Sequence, residues 1–215
     1  MIFADRTEAG RILAKQLQQY KDGRNLLVLG LPRGGVSVAF EVATELKAPL
    51  DVFIVRKLGV PGHEELAFGA IASGGVRVLD EESAEAAGVS DLEIELIVEK
   101  ERQELERREL AYRGRRAPAA VAGKTVILVD DGIATGHSME AAIDALLLRK
   151  PARLVVAVPV APFSTCRRLA GKVDDLIAVQ KPESFYAVGE FYEDFSQISD
   201  QAVAELLRKA ERNVA

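Results

Sequence analysis

Asp130 and Asp131 stand side by side just before a small-residue turn, Ala134-Thr135-Gly136-His137-Ser138. Ionised carboxylates only accept hydrogen bonds, so the pair suits groups with donors, such as sugar hydroxyls, or a metal ion. The turn has the opposite character. Its backbone N–H groups are free to face an anion, and the hydroxyls of Thr135 and Ser138 add donors. A diol-binding pair a few residues from a phosphate-binding turn points to a ribose 5-phosphate.

The elements needed to hold such a site flank it. Val126-Ile127-Leu128-Val129 is an unbroken aliphatic run, which predicts a strand buried on both faces as in a parallel sheet. Met139 to Leu147 has apolar residues at helical spacing, so the turn lies at a helix N-terminus where the dipole favours anions. Two other phosphate loops fail on spacing. Gly132-x-x-x-Gly136-His137-Ser138 is one residue short of a P-loop and lacks its Lys, and no G-x-G-x-x-G follows a predicted strand.

From Val126 to Ser138 the chain resembles, position by position, the phosphoribosyl-pyrophosphate (PRPP) signature of the type I phosphoribosyltransferases. The resemblance implies an α/β fold with a parallel twisted sheet flanked by helices, a small hood and a helical and hairpin insertion. It implies transfer of a 5-phosphoribosyl group to a nitrogenous acceptor with release of pyrophosphate, Mg²⁺ as cofactor, and a homodimer. On this reading Ala134, Thr135, Gly136, His137 and Ser138 bind the 5-phosphate. Asp130 and Asp131 hold the ribose hydroxyls or meet Mg²⁺ through water or the ligand.

A second strand–glycine–helix unit precedes this one. Leu26 to Leu29 is a buried strand, Gly30-Leu31-Pro32-Arg33-Gly34-Gly35 a turn, and Val36 to Leu46 a helix facing inward at Ala39, Val42 and Ala43. Two such turns at the carboxyl edge of one parallel sheet would form a crevice with two anion pockets. Arg33-Gly34-Gly35 matches the family's pyrophosphate loop, which often contains a non-proline cis peptide. A third strand, Leu50 to Val55, ends at Arg56-Lys57, two cations placed to stabilise a departing pyrophosphate.

The remaining segments carry less chemistry. Asp5 to Lys21 reads as a capped helix. Leu58 to Glu65 is rich in turn formers and falls where the family has a mobile closing loop. His63 reads as a solvated loop residue, and Glu65 has no assigned role. Leu66 to Ala72 and Val76 to Leu79 read as a hairpin, Glu81 to Ala87 as a short helix. A long, mostly solvated helix runs from Ser90 or Asp91 to about Tyr112. Arg153 to Pro159, Phe163 to Ala170 and Asp174 to Val179 read as strand, helix and strand, and Ser199 caps a final helix. Cys166, the single cysteine, is a small core residue and excludes an internal disulfide.

Lys181 to Phe195 is aromatic-rich and similar to the hood of the hypoxanthine–guanine enzymes, with a one-residue gap. That likeness puts Phe185 against a nucleobase, with Tyr186 beside it and Glu193 or a nearby backbone group at the base's edge. Two positions depart from those enzymes. Ala134 stands where they carry an Asp that acts on the purine ring, and Pro159-Val160-Ala161 occupies the neighbourhood where they place a Lys after the following strand. The acceptor base therefore stays open.

The chain of 215 residues suits one domain: a core of about 26–180, an insertion of about 58–116 and a hood of about 181–198 joined by N-terminal residues. Its net charge of -5 argues against nucleic acid as partner, and no apolar run is long enough for a membrane span. A cytoplasmic location follows as an expectation. Two alternatives remain: a PRPP-sensing regulator without turnover, and a metal-dependent hydrolase, which would need more ligands than two Asp and two His supply.

Overall fold

The computed structural model describes residues 1–21, 23 and 25–214, with the backbone alone for Glu64, Glu65 and Val214. Glu65, noted in the sequence without a role, therefore has no described side chain. Five parallel strands form the central sheet: β1 (Leu26–Gly30), β2 (Leu50–Val52), β6 (Thr125–Val129), β7 (Arg153–Val160) and β8 (Asp175–Gln180), in the order β2-β1-β6-β7-β8. The aliphatic runs are continuous because both faces are covered. Val28, Ile127, Val129 and Val155 enter one core, with residues of α1 (Arg6–Lys15), α2 (Gly34–Leu46) and α7 (Asp200–Val214). Leu27, Leu29, Val126, Leu128 and Val156 enter the other, with α5 (His137–Leu148) and α6 (Phe163–Ala170). Period-two alternation with two apolar faces makes a parallel strand look uniformly hydrophobic. Cys166 is buried in the second core, where burial pushes its thiol pKa up.

A second, antiparallel sheet of order β3-β4-β5 comprises β3 (Val55–Val60), β4 (His63–Ala72) and β5 (Val76–Leu79). It packs on α5 and on α4 (Asp91–Arg113), while α3 (Glu81–Ala86) joins β5 to α4. Ser90 caps α4 in a full capping box with Glu93. No helix of the described residues is long and apolar enough to cross a membrane.

Three boundary expectations are corrected. The first helix stops at Lys15, because Gln16 and Leu17 donate to carbonyls three residues back and the chain tightens into a 3₁₀ turn at Gln18–Tyr20. The third strand is not continuous from Leu50 to Val55. Phe53 still donates to Gly30 O at 3.0 Å, but the Ile54 amide is taken by Ser73 Oγ at 3.0 Å and the chain turns into the second sheet. The turn-rich stretch after it is mostly strand. Leu58 and Val60 are buried, and Pro61-Gly62, with Gly62 at φ 76°, forms the reversal between β3 and β4. His63 is exposed, as expected, but at the start of β4.

Candidate active site

β1 and β6 are neighbours, with Gly30 opposite Val129 at their carboxyl ends. The chain leaves β1 toward β2 on one side and β6 toward β7 on the other. This is the point where strand order reverses, and ligands in open parallel sheets bind beyond the strand ends there. The Arg33-Gly34-Gly35 turn and the Asp130-to-Ser138 turn both rise from it, each ending in a helix N-terminus.

The two loops are in contact. A Cβ on Gly35 would lie 2.7 Å from the Asp130 α-carbon, and one on Gly34 would overlap the Asp131 carboxylate. Only glycine lets the backbone of one loop pass this close to the acids of the other. The peptide between Pro32 and Arg33 is cis, in the loop where the resemblance implies one. Arg33 is half-exposed and stands 3.9 Å from Asp200 at the start of α7.

Asp130 Oδ1 accepts from the Asp131 amide at 2.8 Å, and Asp131 Oδ2 accepts from Arg6 Nε at 2.7 Å. No amide, hydroxyl or cation among the described residues donates to Asp130 Oδ2 or Asp131 Oδ1, and neither oxygen is fully buried. Each acid thus offers one oxygen to a further donor. Burial and the adjacent Asp131 carboxylate hold Asp130 well above the usual carboxylate range, and Arg6 partly offsets them. Tyr192 donates to the Asp131 carbonyl at 2.5 Å, and burial beside the acids pushes its phenol pKa up.

In the turn, Ala134, Thr135, His137 and Ser138 are exposed while Gly136 is buried at φ 84°. Ile133 donates to Val160 O and Glu140 to Gly136 O. The six amides between them, Ala134 to Met139, donate to no described group. A row of unpaired N–H groups at a helix N-terminus is an anion site. The turn is braced from behind by α6. Thr165 donates to Ala134 O at 3.1 Å and Arg168 to Thr135 O at 2.6 Å. Neither residue was singled out in the sequence, since nothing local signals a brace from another helix.

Arg56 and Lys57 do not sit at the end of a parallel strand. They lie within β3, because the chain turns away after Val52. Arg56 is engaged by Glu101 at 2.5–2.7 Å. Both nevertheless line a cavity of about 650 Å³ with Ser138 and Lys100. Lys57 forms no ion pair with a described side chain. His137 lines a neighbouring cavity of about 470 Å³ with Lys57, Glu140 and Asp144.

The hood reaches the site through Val188, whose methyl groups fill the space a Cβ on Gly132 would need. Phe3 pairs with Tyr192, so the N-terminus joins the hood. Phe185 has one face stacked on Phe191, with ring centroids 5.6 Å apart, whereas Tyr186 is 84% exposed and Glu193 is exposed. The acids alone suit a divalent cation held chiefly by ligand oxygens and water, for no cluster of three His, Cys, Asp or Glu occurs among the described residues.

The arrangement defines an α/β protein with two glycine-bearing loops in contact and an acid pair at a switch point. Residues 4–195 match the phosphoribosyl transferase domain family, and the chain belongs to that family. A candidate phosphoribosyl transferase of Mycobacterium tuberculosis is 44% identical over 214 residues, which cover 100% of this chain and 48% of that protein. The chain thus spans about half the length of this curated relative. The Bifunctional protein PyrR of Chloroflexus aurantiacus is 35% identical over 131 residues, 59% of this chain and 65% of its own. The solved structure of TT1426 from Thermus thermophilus superposes with a TM-score of 0.86 at 42% identity, covering 97% of this chain and 99% of that one.

Proposed function

We propose that the chain transfers the 5-phosphoribosyl group of PRPP to a nitrogenous acceptor, releasing pyrophosphate, with Mg²⁺ as cofactor. The observation that carries this reading is the contact between the glycine loop and the acid pair, directly beside six unpaired amides. A phosphate, a diol and a pyrophosphate then find complementary groups in one crevice.

The amides of residues 134–139, with Thr135 and Ser138, bind the 5-phosphate. Each such charge-assisted bond contributes about 1.5–3 kcal/mol. Several together reach the roughly 8 kcal/mol of micromolar binding. Asp130 Oδ2 and Asp131 Oδ1 accept from the ribose hydroxyls and fix the anomeric carbon toward the acceptor. Substitution there passes through an oxocarbenium-like state and needs no protein nucleophile. Arg33 and Lys57 face the departing pyrophosphate, and Arg56 contributes only if Glu101 releases it. Mg²⁺, when bound, neutralises pyrophosphate charge. The hood covers the acceptor side, with Phe185 and Tyr186 as its aromatic surfaces and Glu193 at its rim.

Pyrophosphate release across a panel of nucleobases and other nitrogenous acceptors, with Mg²⁺ and with EDTA, tests the proposal. Turnover with one acceptor, abolished by EDTA, is expected. Tight PRPP binding without turnover on any acceptor would favour the sensing alternative.

A further inference from the structure

Arg6 is the first residue of α1, the end of a helix where a cation opposes the dipole. It is nonetheless only 9% exposed. Local helix energetics disfavour it there, so its position answers to tertiary partners. Nε donates to Asp131 Oδ2 at 2.7 Å and Nη1 to Ser196 O at 2.9 Å. The guanidinium lies 4.0 Å from the Phe195 ring centroid and 5.9 Å from that of Tyr192. One rigid fork therefore touches the acid pair with one nitrogen and the hood with another, and stacks on the hood's rings. Tyr192 closes the circuit through its bond to the Asp131 carbonyl.

We propose that Arg6 is a positioning residue that locks Asp131 to the hood, so that gripping the ribose diol and ordering residues 191–196 are one event. The inference rests on the phosphoribosyl reading above. With Oδ2 held by Arg6, Asp131 presents Oδ1 to the ribose. The same hold fixes the hood backbone, which is stitched to the N-terminus by Glu193 and Asp194 donating to Phe3 O and Ala4 O at 2.8 and 3.0 Å. Coupling between sites is reciprocal, so a ligand that fixes Asp131 must steady the hood.

The test combines PRPP titration calorimetry with Mg²⁺ and hydrogen exchange at the Glu193 and Asp194 amides, on wild type, Arg6→Met and Arg6→Lys. In wild type, PRPP should slow exchange at both amides about tenfold, within the usual range of such coupling. In Arg6→Met, the PRPP Kd should rise about tenfold and the ligand-linked protection should vanish. Arg6→Lys, which keeps the charge without the fork, should recover part of the affinity but not the protection. A merely structural Arg6 would lower Tm in the variants and leave ligand-linked protection intact. Wild-type affinity and protection in Arg6→Met would overturn the proposal. If that variant does not fold, the same result in Arg6→Lys would overturn it. Absence of PRPP binding to wild type itself would instead sink the phosphoribosyl reading, and Arg6's role with it.

Discussion

Gly34 and the Asp131 carboxylate, from loops nearly a hundred residues apart, occupy adjoining space so completely that a Cβ on one would overlap the other. A methyl group here must displace the acid, the loop or both. Gly34→Ala should cost about 1–3 kcal/mol of stability, the usual range for overpacking. It should also raise the Kd for PRPP more than tenfold, because the displaced carboxylate no longer faces the diol. Urea unfolding and calorimetry together check this. Wild-type affinity in a folded Gly34→Ala protein would show that Asp131 is not at the diol.

Asp130 gives a prediction in pH. Its folded pKa lies well above the ordinary carboxylate value, mainly through burial and then through Asp131. Below about pH 4 the group is protonated folded or unfolded and imposes no penalty. As pH rises from there, the unfolded chain ionises freely and the folded one does not, so stability falls by about 1.4 kcal/mol for each pH unit separating the two pKa values. Asp130→Asn, measured in EDTA, should therefore be more stable than wild type at pH 7–8 and lose that advantage near pH 4. Equal pH–stability curves would contradict the assignment. The same variant should bind PRPP with Mg²⁺ more weakly, since an amide cannot take up the negative charge that the ligand's donors and cation would favour on Asp130.

The central sheet and the turn that opens α5 were legible in the sequence because their signals are local: aliphatic runs, glycines at turns, caps such as Ser90. Arg56 and Lys57 were misplaced because Ser73, distant in sequence, captures the Ile54 amide and ends the parallel strand early. The strands of Leu58 to Glu65 hid behind Gly59, Pro61 and Gly62, residues that signal turns unless the partner strand is known. Arg6 left one unused clue, a cation at the wrong end of a helix, though its burial shows only in the structure. Thr165 and Arg168 left none, since their partners are backbone carbonyls in another loop.

Gly136 tests the brace behind the turn of residues 134–138. It has φ 84°, and a Cβ there would meet Thr165 Cγ2 at 2.7 Å and Arg168 Nη2 at 2.9 Å. Gly136→Ala pays the left-handed penalty of about 1–2 kcal/mol and pushes α6 away from the turn. Affinity for PRPP and for inorganic phosphate should fall together, as both use the same amides. Thr165→Val, which only removes the donor to Ala134 O, should cost about 1 kcal/mol and weaken both ligands less. A phosphate Kd unchanged in Gly136→Ala would place the anion elsewhere.

The ion pair of Asp51 and Arg113 separates fold from site. Arg113 Nε donates to Asp51 Oδ1 at 2.7 Å, and both residues are buried. Asp51 Oδ2 accepts from the Ala119 amide at 2.8 Å, and Arg113 also donates to Glu109 and the Val52 carbonyl. The pair thus ties β2, the end of α4 and the segment leading to β6. Removing one member strands a buried charge, which costs about 3–5 kcal/mol. Asp51→Leu and Arg113→Met should each lose that much in urea unfolding. The double variant should be more stable than the sum of the two losses, because neither charge is then left alone. PRPP affinity of the folded protein should be unchanged in all three, as no group in the crevice bonds to either residue. Strict additivity, or single losses below about 1 kcal/mol, would mean that water reaches the pair and the insertion is held by other contacts.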